Sequence, residues 1–281
     1  MDGFIILDKP KGITSFSCCN QIRKKLNLNK TGHNGTLDPN ATGLMVIACD
    51  KATKLIKLIN EHDKEYIATI KFGLISDTLD MDGNVSEGKY NSFTKEELIN
   101  AINKLKKEEY QIPPMTSAIK VNGKKLYEYQ RKGIEVEIEK RKVMINDIEL
   151  IDFDEANKEC IIRLNVSKGF YVRSFARDLG VILNSDAIIK DLRRTKIDNL
   201  DISKSKKLDE LNISDIIEIK DFFDFPKVEV DDYIAKLVKN GVTLDERQTQ
   251  IKGIFFVTNK CDIIAVYEEI DNNKYKPLLI F

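Results

Sequence analysis

Residues 30–43, KTGHNGTLDPNATG, place His33, one of the chain's two histidines, and the pair Asp38-Pro39 among three glycines. Proline biases the residue before it toward extended backbone, and Gly32, Gly35 and Gly43 permit tight turns on either side. Such a loop holds an acid at a cleft rather than in a core, where one carboxylate can serve a reaction. The same residues also fit an Asx-turn closed by proline, a common structural motif.

Other chemistries find no residues. With two histidines, no zinc site of the HExxH or multi-histidine type assembles, and neither GxGxxG nor GxxxxGK[ST] occurs. Cys18, Cys19, Cys49, Cys160 and Cys261 contain no CxxC pair and are expected to be free buried thiols. The expectation is therefore catalysis with no metal and no cofactor.

Charge is balanced overall, at 45 basic and 45 acidic residues, but segregated along the chain. Residues 1–35 carry six Lys/Arg against two acids, 117–142 eight against four, 158–177 five against one, and 189–207 seven against three. Residues 208–232 reverse this with nine acids and two bases. A polyanion could meet a basic face despite zero net charge, and an ordinary solvated surface fits the same count. The opening residues carry an acid where a signal peptide needs basic ones, and no apolar run approaches the roughly 18 residues of a membrane span, so a cytoplasmic protein is expected.

The elements that would position the loop follow from periodicity. Residues 4–7 read as a strand ending at Lys9-Pro10, 15–26 as a helix capped by Thr14 or Ser15, and 43–49 as a buried strand followed by a helix over 52–60. Strict alternation marks 65–72 as a strand, closed by turn residues at 80–83, and Thr94 with Glu97 forms a capping box for a helix through 107. Residues 111–142, with prolines, glycines, tyrosines and lysines, read as a partly helical excursion. Strands at 143–153 and 159–167, a helix at 171–183 and a strand from Ala187 complete the larger part. A helix at 231–240 and strands at 253–258, 263–267 and 275–281 form a small β-rich end, with a boundary near Phe225-Pro226. Strands mixed with helices without βαβ alternation predict an α+β fold on a mixed, largely antiparallel sheet.

Taken together the motifs resemble the bacterial tRNA pseudouridine synthases of the TruB family. Asp8-Lys-Pro-Lys-Gly-Ile-Thr-Ser15 resembles its KPxGxTS element, and Gly32-His-Asn-Gly-Thr-Leu-Asp-Pro39 with Ala41 and Gly43 its GHxGTLDPxAxG loop. Lys64-Glu-Tyr66, Asp77-Thr-Leu-Asp80, Pro113-Pro-Met-Thr-Ser-Ala118, Ser167-Lys-Gly-Phe-Tyr-Val-Arg173 and Leu192-Arg-Arg-Thr195 follow in the family's order. Asn34, Asn40 and Asp198 depart from its usual Thr, apolar residue and Gly.

The resemblance implies isomerisation of uridine 55 in the T loop of tRNA, without a cofactor. Asp38 then matches the catalytic aspartate, acting on C1′ or on a neighbouring sugar proton as the glycosidic bond breaks. Arg173 matches its ion-pair partner, Tyr66 the residue stacked on the base, and Tyr171 and Leu192 further pocket residues, although both tyrosines also suit a strand core. The target must be extruded from the loop, and His33 matches the side chain that fills the void. Lys9 is expected to support the loop or a phosphate, and His62 to be a favourable charge at a helix end. By the same resemblance residues 1–224 form the catalytic domain of pseudouridine synthase type, with 111–142 closing over RNA, and 225–281 a small PUA-like domain that contacts the acceptor-stem end. The partner implied is tRNA, through its T arm, bound by a monomer with no obligatory protein partner. Two rivals are an RNA-folding protein with secondary catalysis and a subunit of guide-RNA particles. Retention of Asp38, Tyr66 and Arg173 argues against the first, and the short C-terminal part without basic tails against the second.

Overall fold

Strand β1 (Gly3–Lys9) is buried at every position but Asp8, and Pro10, which lacks an N–H, ends its ladder. The computed structural model describes residues 1–60, 63–271 and 273–281; the expectation for His62 lies outside the described residues. Helix α1 (Ser15–Lys25) starts at Thr14, whose side chain accepts from the Ser17 N–H at 3.0 Å. Ser15, the other candidate cap, turns inward instead.

After β2 (Thr31–His33) and β3 (Thr42–Cys49), the single helix expected over 52–60 divides. Asp50–Leu55 winds as a 3-10 helix and only Ile56–Asn60 is α-helical. Cys49 offers no capping side chain, and the Thr53 hydroxyl donates to the Asp50 carbonyl at 2.7 Å, which favours the tighter i to i+3 winding.

Strands β4 (Lys64–Phe72), β5 (Ile145–Asp154), β6 (Glu159–Val166) and β7 (Ala187–Ile197) join β1 and β3 in one sheet ordered β5-β6-β4-β7-β3-β1. Neighbours run antiparallel except β7 beside β3, where Arg193 pairs with Thr42 and Arg194 with Gly43 in parallel. The short strand Lys206–Lys207 adds a second parallel pairing, at the edge of β1. This is the mixed, largely antiparallel α+β sheet that the strand pattern predicts.

Alternation assigns the two faces of the sheet. Ile5, Leu7, Met45, Ile47, Ala68 and Ile70 bury one face with α1, α2 (Lys95–Lys106) and α3 (Val172–Ile182). Phe4, Ile6, Leu44 and Val46 bury the other against Phe256, Val266 and Leu279. Phe4 is fully buried and stacks on Phe222 at 4.2 Å, and burial of such a ring contributes on the order of 2–3 kcal/mol.

The β-rich end contains strands Lys227–Glu229, Ile254–Asn259, Asp262–Asp271 and Lys274–Ile280, in that order, with helix α4 (Asp232–Lys239) capped by Asp231. The third of these is longer than the expected 263–267. Cys18, Cys19, Cys49 and Cys160 are free and buried as expected, whereas Cys261 is exposed, at φ +70° in the tight turn that joins the second and third strands. Asp198 takes φ +50°, the left-handed backbone expected where the family has glycine.

Candidate active site

The loop between β2 and β3 is fixed from behind by residues of the N-terminal segment. Lys9 is fully buried, and its Nζ donates to the carbonyls of Pro10 at 3.0 Å, Pro39 at 2.9 Å and Ala41 at 2.7 Å. Burial pushes its ammonium below the usual lysine range. Ser15 Oγ donates to the Leu37 carbonyl and accepts from the Leu37 N–H, each at 2.9 Å, and the Gly12 N–H reaches the Pro39 carbonyl at 2.9 Å. Leu37 and Pro39 are therefore held on both sides of Asp38, which faces outward. Gly43, at φ +107°, passes so close to β7 that a Cβ would lie 2.3 Å from the Arg194 carbonyl oxygen.

Asp38 stands half-buried in a cleft of about 610 Å³. Arg173, in the first turn of α3, places Nε 3.2 Å from its Oδ2 and Nη2 3.4 Å from its Oδ1. The same guanidinium donates from Nη1 to the Thr78 carbonyl at 2.9 Å and to Thr116 Oγ1 at 2.6 Å, and lies 3.4 Å from Asp80 Oδ2. Burial pushes the Asp38 carboxyl above the usual range; Arg173 and, less, Lys9 pull it down, while Asp80 and Asp82 push it up. Burial likewise raises Asp82, whose carboxylate accepts from the backbone and side-chain amides of Asn40.

Tyr66 on β4 lies opposite Arg194 on β7, and both line the cleft together with Leu192. Tyr171 precedes α3 and is seated by Gln111, which accepts from its N–H at 2.8 Å and donates to its carbonyl at 3.1 Å. Burial pushes the Tyr171 hydroxyl up. Asp38, Tyr66, Tyr171, Arg173 and Leu192 thus line one cleft, while Lys9 lies behind the loop. His33 is not in the cleft lining: it sits half-buried in β2, where burial lowers its pKa and its Nδ1 has no hydrogen-bond partner among the described residues. Asn34 is buried, its Oδ1 accepting from the Val46 N–H at 2.9 Å.

Sequence reasoning missed three contributors: Asp80, Thr116 and Arg194. Each lies inside a quoted motif, but nothing local separates Asp80 from the chain's other acids. Arg194 is almost fully buried and donates from Nε to the Leu44 carbonyl at 2.7 Å, tying β7 to β3 beside the loop. Among the described residues no three His, Cys, Asp or Glu side chains are grouped to hold a metal ion, and no helix is long and apolar enough to cross a membrane. The arrangement offers one oriented carboxylate in a cleft lined by Tyr66, Tyr171 and Leu192 and by the cations Lys64, Lys125 and Arg194.

The sequence profile of the TruB family pseudouridylate synthase N-terminal domain matches residues 23–172. The tRNA pseudouridine synthase B of Acholeplasma laidlawii (strain PG-8A) is 41% identical over 283 aligned residues, covering 100% of both chains. That of Clostridium tetani (strain Massachusetts / E88) is 40% identical over 275, covering 96% of this chain and 93% of its own. The crystal structure of a Cbf5-Nop10-Gar1 complex shares the fold, with a TM-score of 0.70 at 22% identity over 99% of this chain and 83% of that one. The chain belongs to the TruB family of pseudouridylate synthases.

Proposed function

We propose that this enzyme isomerises uridine 55 in the T loop of tRNA to pseudouridine, with Asp38 acting on the ribose or glycosidic bond of a flipped-out uridine. The observation that carries the reading is the Asp38 to Arg173 pair, at 3.2 and 3.4 Å, inside a cleft that Tyr66 and Leu192 also line. The relatives named tRNA pseudouridine synthase B support tRNA as the substrate.

The N1 to C1′ bond breaks, the uracil turns, and C5 bonds to C1′; the C5 proton is lost and N1 gains one, so the product is an isomer and no electrons enter or leave. A carboxylate beside C1′ can capture the electron-poor carbon, as in retaining glycosidases, or take a sugar proton. Either step starts from ionised Asp38, and Arg173 supplies the charge that keeps it ionised in a half-buried site. Tyr66 stacks on the base, Tyr171 and Leu192 wall the pocket, and Lys9 braces the loop.

Extrusion of the uridine leaves a gap among the T-loop bases, which His33 fills. Residues 1–224 act as the catalytic domain, segment 111–142 closes over the T arm, and the PUA-like residues 225–281 reach toward the acceptor-stem end. The protein works as a cytoplasmic monomer without an obligatory protein partner. Incubation with unmodified tRNA transcript, followed by mapping of modified positions, should give pseudouridine at position 55 and none when that uridine is replaced by cytidine. Modification elsewhere, or none at all, would overturn the assignment.

A further inference from the structure

Segment 111–142 is bolted to the helix that carries Arg173 and to the turn that faces that guanidinium. At its root the Ile112 carbonyl accepts from Ser174 Oγ at 2.8 Å and from Arg177 Nη2 at 3.1 Å. Farther along, Gln130 Nε2 donates to the Asp77 carbonyl at 2.7 Å, on the turn that also supplies Thr78 and Asp80. Between these anchors Thr116 Oγ1 accepts from Arg173 Nη1 at 2.6 Å, the shortest of that guanidinium's contacts.

The hydrogen count of Arg173 gives this contact its weight. Nη1 carries two hydrogens, which the Thr78 carbonyl and Thr116 Oγ1 take, leaving Asp80 Oδ2 at 3.4 Å as a charge neighbour. Without the Thr116 oxygen, the freed N–H is drawn toward Asp80, an acceptor already in reach. A guanidinium is planar and rigid, so a shift of Nη1 toward Asp80 is carried to Nε and Nη2, which stand at 3.2 and 3.4 Å from Asp38.

We infer that Thr116 is a positioning residue for the Asp38 to Arg173 pair, so that the seating of segment 111–142 is read directly in the orientation of the catalytic carboxylate's partner. The inference rests on the reading of Asp38 as the catalytic group. It deepens that reading by giving segment 111–142 a part in the chemistry as well as in holding RNA.

The charges facing Asp38 are Arg173 from α3, Lys9 from β1, and Asp80 and Asp82 from the turn after β4. Lys64, Lys125 and Arg194 line the same cleft. Of these, Arg173 is the strongest influence keeping Asp38 ionised, so loosening it moves the acid limb of the rate toward higher pH. Loss of phosphate contacts would not produce that shift.

The test is the single-turnover rate against pH, with unmodified tRNA transcript, for wild type, Thr116→Val, Thr116→Ser and Asp38→Asn, beside tRNA affinity at one fixed salt. Thr116→Val should slow the reaction about 10- to 100-fold at neutral pH, the usual weight of a hydrogen bond to a charged group, with affinity unchanged and the acid limb displaced upward. Thr116→Ser, which keeps the hydroxyl, should restore both rate and limb. A Thr116→Val enzyme with wild-type rate and limb overturns the inference. So does one that loses binding and rate in proportion with its limb unmoved, and so does a Thr116→Ser variant as impaired as valine. Turnover by Asp38→Asn would remove the catalytic reading and the inference with it, whereas inert Asp38→Asn beside normal Thr116→Val removes the inference alone.

Discussion

Arg173 lies edge-on to Asp38, with Nε 3.2 Å from Oδ2 and Nη2 3.4 Å from Oδ1. Both distances exceed the usual 2.7–2.9 Å of a charge-assisted bond, so the carboxylate is oriented without being tightly clamped. An opened pair suits the role proposed for Asp38, in which the carboxylate leaves its partner to meet a sugar carbon or proton.

Asp38→Asn should leave tRNA affinity near wild type while turnover falls below detection. In the proposed mechanism the side chain acts on one ribose, whereas affinity for nucleic acid comes mainly from phosphate contacts. Steady turnover by a preparation free of wild-type enzyme and of deamidation back to aspartate would disprove the role given to Asp38.

Arg173→Lys should be severely impaired, because an ammonium cannot span two carboxylate oxygens while also holding Thr78 and Thr116. Arg173→Ala removes the main influence that lowers the Asp38 pKa, which burial already raises. In the proposed mechanism the active form is the carboxylate, so activity is lost as pH falls through that pKa, and the acid limb of Arg173→Ala should lie above that of wild type. Rate profiles with unchanged limbs in both variants would make Arg173 a plain positioning contact.

How far the site was legible depends on where its parts sit in the chain. The Asp38 loop announced itself because proline restricts and glycine frees the backbone locally, and β4 because alternation is a local pattern. Tyr66, Tyr171, Arg173 and Leu192 were legible only as members of motifs. The contact from Arg173 to Asp38 spans 135 residues and that to Thr116 spans 57, and no periodicity encodes either. The 3-10 winding of Asp50–Leu55 depended on a missing cap and one Thr53 bond, too fine a balance for pattern reading. His33 carried a motif position but no signal that its ring would lie half-buried outside the cleft lining.

Affinity for tRNA should fall steeply with salt, but not every basic residue should contribute. Arg163 is engaged by Glu65 at 3.2 Å, Asp147 at 3.3 Å and Glu149 at 2.8 Å, whereas Lys125 lines the cleft. Lys125→Ala should therefore lower the slope of log affinity against log salt by about 0.7 to 0.9, one phosphate's worth, while Arg163→Ala leaves it unchanged. Equal effects of the two substitutions, measured over one salt series, would show that internal pairing does not decide which charges meet RNA.

Lys9 separates a brace from a phosphate contact. It is fully buried and gives all three of its donors to carbonyls of Pro10, Pro39 and Ala41, which leaves none for RNA. Lys9→Met preserves length and apolar volume but strands those carbonyls, and although relief of a buried charge offsets part of the loss, a cost of about 2–4 kcal/mol is expected. Thermal unfolding should report that loss directly. Turnover should fall as well, because the backbone that follows Asp38 loses its anchor at Pro39 and Ala41 and, in the proposed mechanism, small misplacements of the carboxylate are costly. The salt slope should stay at the wild-type value. A lowered slope with unchanged thermal stability would instead assign Lys9 to a phosphate, and its burial behind the loop would then have to open when tRNA binds.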